Sequence, residues 1–149
     1  MADLSTIPKA LQALQDLSSQ PLHSTGAWDL PHVLHHYAQS VEYSLGGFPQ
    51  MKPRWFRASV GPAALGVFKL RGRMSHGLDA AIPGAPDIAQ GLPLAPAIAR
   101  ATTALRAFEA HRGPLQPHFA YGALDKPAYT RAHLMHLADH WRAFAPGPG

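Results

Sequence analysis

His133, His136 and His140 stand near the C-terminal end of the chain at spacings of three and four. On a helix those spacings place all three on one face, and imidazole nitrogens converging from one face form the donor set of a divalent metal site. Tyr129, Ala132, Leu137 and Phe144 share that face, so it should point into a core. Imidazoles without partners are poorly accommodated there, and a metal would satisfy them. On a helical wheel His136 and His140 lie within about 40° of each other, so the pair can aim at one point. Zinc and similar ions want at least a third ligand, and it must come from another helix.

The stretch from His32 to Tyr43 offers that ligand. His32, His36, Gln39 and Tyr43 share a polar face, and His35 adjoins it; spacing alone leaves the choice among His32, His35 and His36 open. Gln39 and Tyr43 follow His36 on its face and could orient a bound water or substrate. His118 lies in a turn before the last helix and His76 opens a long loop, so either could close over the site. Asp139 adjoins His140 but points about 100° away from it on the wheel, which predicts a solvated charge. The zinc-protease pattern His-Glu-x-x-His is absent.

Composition narrows the chemistry. With no cysteine, disulfides and thiolate metal sites are excluded, and a bound metal must rely on nitrogen and oxygen ligands. Histidine ligands suit zinc first, with nickel, iron and copper as alternatives. The chain has 149 residues, 46% of them apolar, enough for one domain with a sizeable core. No apolar run approaches a membrane span and the first residues lack a secretory pattern, so a cytoplasmic location is the expectation. The formal charge of +4 is uneven: Lys52, Arg54, Arg57, Lys69, Arg71 and Arg73 occupy a stretch without an acid. Such a stretch can meet an anionic ligand or, with Trp55 and Phe56 available for stacking, a nucleic acid. A solvated helix face is the plainer reading.

The elements that must carry these residues read as helices. Ser5 and Thr6 before Pro8 offer a cap, and Leu11, Leu14 and Leu17 recur at helical spacing, which predicts a helix over about 6–19. Asp29 is placed as the cap of a second helix, with Trp28 as its staple, carrying a stripe from Leu30 to Leu45 that ends at Gly46 and Gly47. Residues 53–71 read as a helix that Gly61 and Pro62 should kink or divide. Residues 72–93, rich in glycine and proline towards their end, predict an irregular loop of the kind that serves as a lid or binding segment. Leu94, Ile98, Ala101, Leu105 and Phe108 mark a further helix stopped by Gly113 and Pro114, and the last helix is expected over about 126–144. No alternating run predicts a strand. The expectation is an all-α domain over 1–145, an antiparallel four-helix bundle with one extra, kinked helix, followed by a flexible tail at 146–149.

Two segments carry a family resemblance. The run from His36 to Pro49 (HYAQSVEYSLGGFP) and that from Pro117 to His140 (PHFAYGALDKPAYTRAHLMHLADH) resemble an uncharacterised bacterial branch of the DinB/YfiT-like superfamily, a domain of unknown function. The resemblance extends over most of the chain, including 72–76 and 82–86. It implies a four-helix bundle whose metal is held by one histidine of the second helix and a His-x-x-x-His pair of the last. Carried over by motif these are His36, His136 and His140, with His133 an extra histidine in a structural or supporting position. Characterised relatives in that superfamily include thiol S-transferases and thiol-dependent isomerases, so the resemblance implies a small-molecule substrate and a low-molecular-weight thiol, whose carboxylates arginines of the basic segment could hold. A hydrolase is the weaker enzymatic reading. A non-catalytic metal-binding or stress-response bundle is the alternative, nucleic-acid binding through residues 52–73 ranks last, and a homodimer is compatible with each.

Overall fold

The computed structural model describes residues 2–20, 22–74 and 79–147, and the described chain is mostly helical. Helix α1 spans Ile7–Asp16, α2 Leu30–Gly46, α3 Arg54–Ala58, α4 Val60–Arg71, α5 Leu94–Ala110 and α6 Lys126–Trp141. The strands β1 (Leu22–Ser24) and β2 (Phe144–Pro146) pair antiparallel, Leu22 opposite Pro146.

Three of the four helices that form the core start on side-chain caps. Thr6 accepts from the backbone N–H of Lys9, Asp29 from that of His32 and Asp125 from that of Ala128, each satisfying a donor that the first turn leaves without a helical partner. A proline follows each cap in the first turn, where its missing N–H costs nothing. Helix α2 ends where Gly47 turns to φ 106°, a conformation that L side chains rarely adopt.

One apolar core joins α1, α2, α5 and α6. Leu14 and Leu17, Leu34, Tyr37 and Val41, Leu105 and Phe108, and Tyr129 and Leu137 are all buried in it. Helix α2 packs most extensively on α5, α5 also on α1, and α6 on both α2 and α1. A smaller cluster of Leu65, Met74, Ala132 and Met135 seats α4 against α6. Arg131, which donates to the Lys69 carbonyl, fastens the same contact.

Four expectations need correction. The helix expected over 53–71 does divide, but at Ser59, whose backbone (φ −134°, ψ −75°) leaves the helical region, and not at Gly61 and Pro62. Pro62 falls in the first turn of α4, where proline is tolerated. Gly61 is there for space: a Cβ would stand 1.6 Å from the Ala120 carbonyl oxygen. The last helix stops at Trp141 rather than near 144, and the chain, expected to lack strands, holds β1 and β2. Short ladders of this kind lie beyond periodicity, because three residues cannot display an alternation. Asp139, expected in solvent, is buried and accepts from Arg142 Nη2 at 2.7 Å, while the same nitrogen donates to the Met74 carbonyl.

Over its described residues the glycine- and proline-rich segment is irregular as expected, and several bonds tie it to α2. Gly91 N–H donates to Asp29 Oδ2, Gln90 Oε1 accepts from the Asp29 N–H, and Gln39 donates to the Pro86 carbonyl. Ile82 is buried. The segment thereby forms a wall beside α2 and α6.

Candidate metal centre

Helices α2 and α6 bring His36, His136 and His140 together. Their ring centroids lie 5.2 Å apart for His36 and His136, 5.1 Å for His36 and His140, and 4.9 Å for His136 and His140. One nitrogen from each ring falls within 4.8 Å of the others, a grouping able to hold a metal ion. His36 and His140 are buried, and His136 is partly open. The Nε2 atoms of His136 and His140 stand 3.1 Å apart. Two nitrogens on a tetrahedral zinc, at roughly 2.0–2.1 Å from the ion, are separated by about 3.3 Å. The α6 pair is already close to that edge.

A serine orients His136. Ser40 Oγ lies 2.6 Å from the Tyr37 carbonyl oxygen, an atom that can only accept, so the hydroxyl hydrogen is committed to it. His136 Nδ1, 3.2 Å from the same Oγ, therefore donates its N–H to the serine oxygen. In a neutral ring that leaves the lone pair on Nε2, the nitrogen that faces His140. Ser40 was not among the sequence candidates. Its position one turn after His36 was the available signal, but a serine mid-helix ordinarily bonds its own backbone and draws no notice. Tyr37, whose ring lies 5.7 Å from that of His136, is fully buried, and burial pushes its phenol pKa up, so a neutral side chain walls the site.

The competing histidines of α2 have other engagements. The ring of His32 stacks on Trp28 at 4.2 Å and its Nδ1 contacts Gln90. His35 faces the Arg100 guanidinium at 3.2 Å, next to the Arg100–Glu42 ion pair, and burial together with that cation lowers its pKa. Trp28 also lies edge-on to His36, centroids 5.0 Å apart, and so packs on that member of the triad at the start of α2. Gln39 anchors the 79–93 segment, and Tyr43 packs on Phe48; neither is among the residues that line the cavity beside the triad. His76 lies outside the described residues.

That cavity has a volume of about 260 Å³ and opens between α2, α6, the 79–83 segment and the turn at 118–121. His36, Ser40 and His136 line one part of it, His118 and His133 another, and Met74, Ile82, Phe119 and Tyr121 supply apolar walls. Of the six cations in the basic stretch, Lys52 lines the cavity and the arginines do not. Arg57 instead donates to the Lys52 carbonyl.

His133 and His118 are held in defined protonation states. Ser44 Oγ lies 2.6 Å from the Val41 carbonyl and 3.1 Å from His133 Nε2, so by the argument used for Ser40 it is Nε2 that carries the hydrogen. Burial, with His118 nearby, lowers the His133 pKa to about 3. His118 Nδ1 accepts from the backbone N–H groups of Ala120 and Tyr121, each at 3.1 Å, which places its hydrogen on Nε2. Burial lowers its pKa to about 3 as well. The ring is stacked on Tyr121 at 4.2 Å. Both histidines are neutral near pH 7.

Residues 3–147, nearly the whole chain, match the family DUF1569, described as a protein of unknown function. No curated protein and no solved structure matches the chain.

Proposed function

We propose, for a chain that belongs to the DUF1569 family and so inherits no described activity, that it is a metal-dependent enzyme in which His36, His136 and His140 hold a divalent ion. The observation that carries this reading is the junction of the triad with a cavity. A structural ion is usually enclosed by four protein ligands, whereas a working ion keeps a position open towards a substrate space. Here His36 and His136 are at once members of the triad and part of the cavity lining. The cyclic packing of α1, α2, α5 and α6 around one core supports the finer assignment, a four-helix bundle of the DinB/YfiT-like kind, and the order of the ligands along the chain agrees with that resemblance.

An ion held by three neutral imidazoles would keep its full charge and supply Lewis acidity. The chain's own residues do the rest. Ser40 fixes the His136 tautomer, and Trp28 and Tyr37 shield the ring cluster. The apolar walls receive the body of a small molecule, and Lys52 can meet an anionic end at the margin. Zinc is the first choice of ion. A transferase acting with a low-molecular-weight thiol is the favoured reaction class; it rests on the DinB/YfiT-like resemblance, and a chain without cysteine agrees with a sulfur supplied from outside.

Elemental analysis of protein purified without a histidine tag tests the reading. The expected result is near one divalent ion per chain, followed by thiol-dependent turnover that chelation abolishes. Metal content at background in the wild-type protein would sink it, and bound metal without turnover across thiols and electrophiles would favour the non-catalytic bundle.

A further inference from the structure

The part of the cavity farthest in character from the triad is built from two neutral histidines that present opposite hydrogen-bonding faces. His133 is 4% exposed, lines the cavity, and has committed Nε2–H to Ser44. Its remaining ring nitrogen, Nδ1, is an acceptor. His118 lines the same cavity and has committed Nδ1 to two backbone N–H groups. Its remaining nitrogen, Nε2, is a donor. The two rings flank Tyr129, with centroids 5.3 Å from it for His133 and 6.2 Å for His118. The Tyr129 hydroxyl is itself committed to the Gln116 carbonyl. Among the residues lining one cavity there are thus one ring with an acceptor nitrogen left over and one with a donor.

We infer that His118 and His133 form a subsite for an uncharged hydroxyl-class group of the substrate, one that takes a hydrogen bond from His118 Nε2–H and gives one to His133 Nδ1. A carboxylate or phosphate fits this end poorly, since it has no hydrogen for His133 and meets no cation from two rings that stay neutral. Lys52, also in the lining, is the counterpart for such a charge. The inference deepens the proposed function by naming what the substrate carries, and it rests on that reading only in taking the cavity as the substrate's place.

The test uses two probes of nearly equal shape, benzyl alcohol and toluene, titrated by ligand-observed NMR into the full chain, with metal content measured on the same sample. Transfer from water alone favours toluene, the more apolar of the two. A site built to hydrogen-bond a hydroxyl reverses that order, because its buried polar groups are left unpaired by the hydrocarbon. Benzyl alcohol is expected to bind about fivefold or more tightly than toluene, with or without chelator. His133→Leu and His118→Asn should each bring that ratio to one or below. Both should fold: in the first the Ser44 hydroxyl still donates to Val41, and in the second the asparagine oxygen can accept from the same turn. Equal or tighter binding of toluene to the wild type overturns the inference, as does the absence of binding by both probes. So does a preference that survives both substitutions or vanishes on chelation, which would place the hydroxyl at the ion. Wild-type protein that holds no metal yet keeps the preference would fail the metal reading and leave the subsite standing.

Discussion

Two serine–histidine pairs bridge α2 and α6 one turn apart, Ser40 with His136 and Ser44 with His133, and they use one device to opposite ends. In both, the serine hydroxyl is spent on a carbonyl three residues back, on Tyr37 or Val41, so its oxygen can only accept from the histidine. The Ser40 pair engages Nδ1 and leaves Nε2 facing His140. The Ser44 pair engages Nε2, with the ring packed edge-on to Phe108 at 4.8 Å, and leaves Nδ1. Histidines three residues apart on one helix face thus differ in chemistry because different ring nitrogens meet the neighbouring helix. Equivalence on a helical wheel is not equivalence in function.

The sharpest way to break this comparison is to exchange the histidines for residues without nitrogen ligands. His136→Ala or His140→Ala should lower retained metal to less than about a tenth of one equivalent, by elemental analysis after gel filtration, since two ligands from one chain hold such ions weakly. His133→Leu should leave metal content unchanged; a parallel loss there would mean that the two pairs are not distinct. The serines provide the next step. Ser40→Ala should weaken metal affinity by about 10–100-fold in a chelator competition, the usual cost of losing a group that orients a ligand, whereas Ser44→Ala should have little effect on it.

Acid probes the cavity side of the comparison. His118 and His133 have folded-state pKa values lowered to about 3 from an ordinary 6.5. Because the unfolded chain binds those protons first, the stability they contribute is fully present above about pH 6.5 and is lost as pH falls towards 3. Urea midpoints of metal-free protein between pH 7 and 4 should therefore drop, and the drop should be shallower in His133→Leu. An unchanged slope in that variant would show that His133 is not buried as a neutral ring. A separate readout, in stability rather than metal, comes from Gly61, where an added methyl would collide with the Ala120 carbonyl. Gly61→Ala should displace the turn that holds His118 and cost about 1–3 kcal/mol in urea denaturation, with metal content intact.

Helical spacing and caps located α1, α2, α5 and α6 to within a few residues, because each of these elements is long enough to show its buried stripe. The break in the basic helix was placed two or three residues late, since Pro62 reads as a breaker until the turn beneath it is known. The histidine pair on α6 was visible from spacing, while its partner on α2 needed the family resemblance to choose His36 over His32 and His35. Burial of Asp139 and the roles of Ser40 and Ser44 were not legible, for they depend on which helix faces which. The 79–93 segment could be read as irregular, but not as the wall it becomes.

Asp29 joins that wall to the triad. Its carboxylate caps α2, the helix that carries His36, through the His32 N–H, and it also accepts the Gly91 N–H that closes the irregular segment. The helix start and the segment's end therefore share one clasp, and neither can open without loosening the other. In native-state hydrogen exchange the amides of His32 and Gly91 should rise and fall in protection together, and a molecule settling in the cavity against Ile82 should slow both.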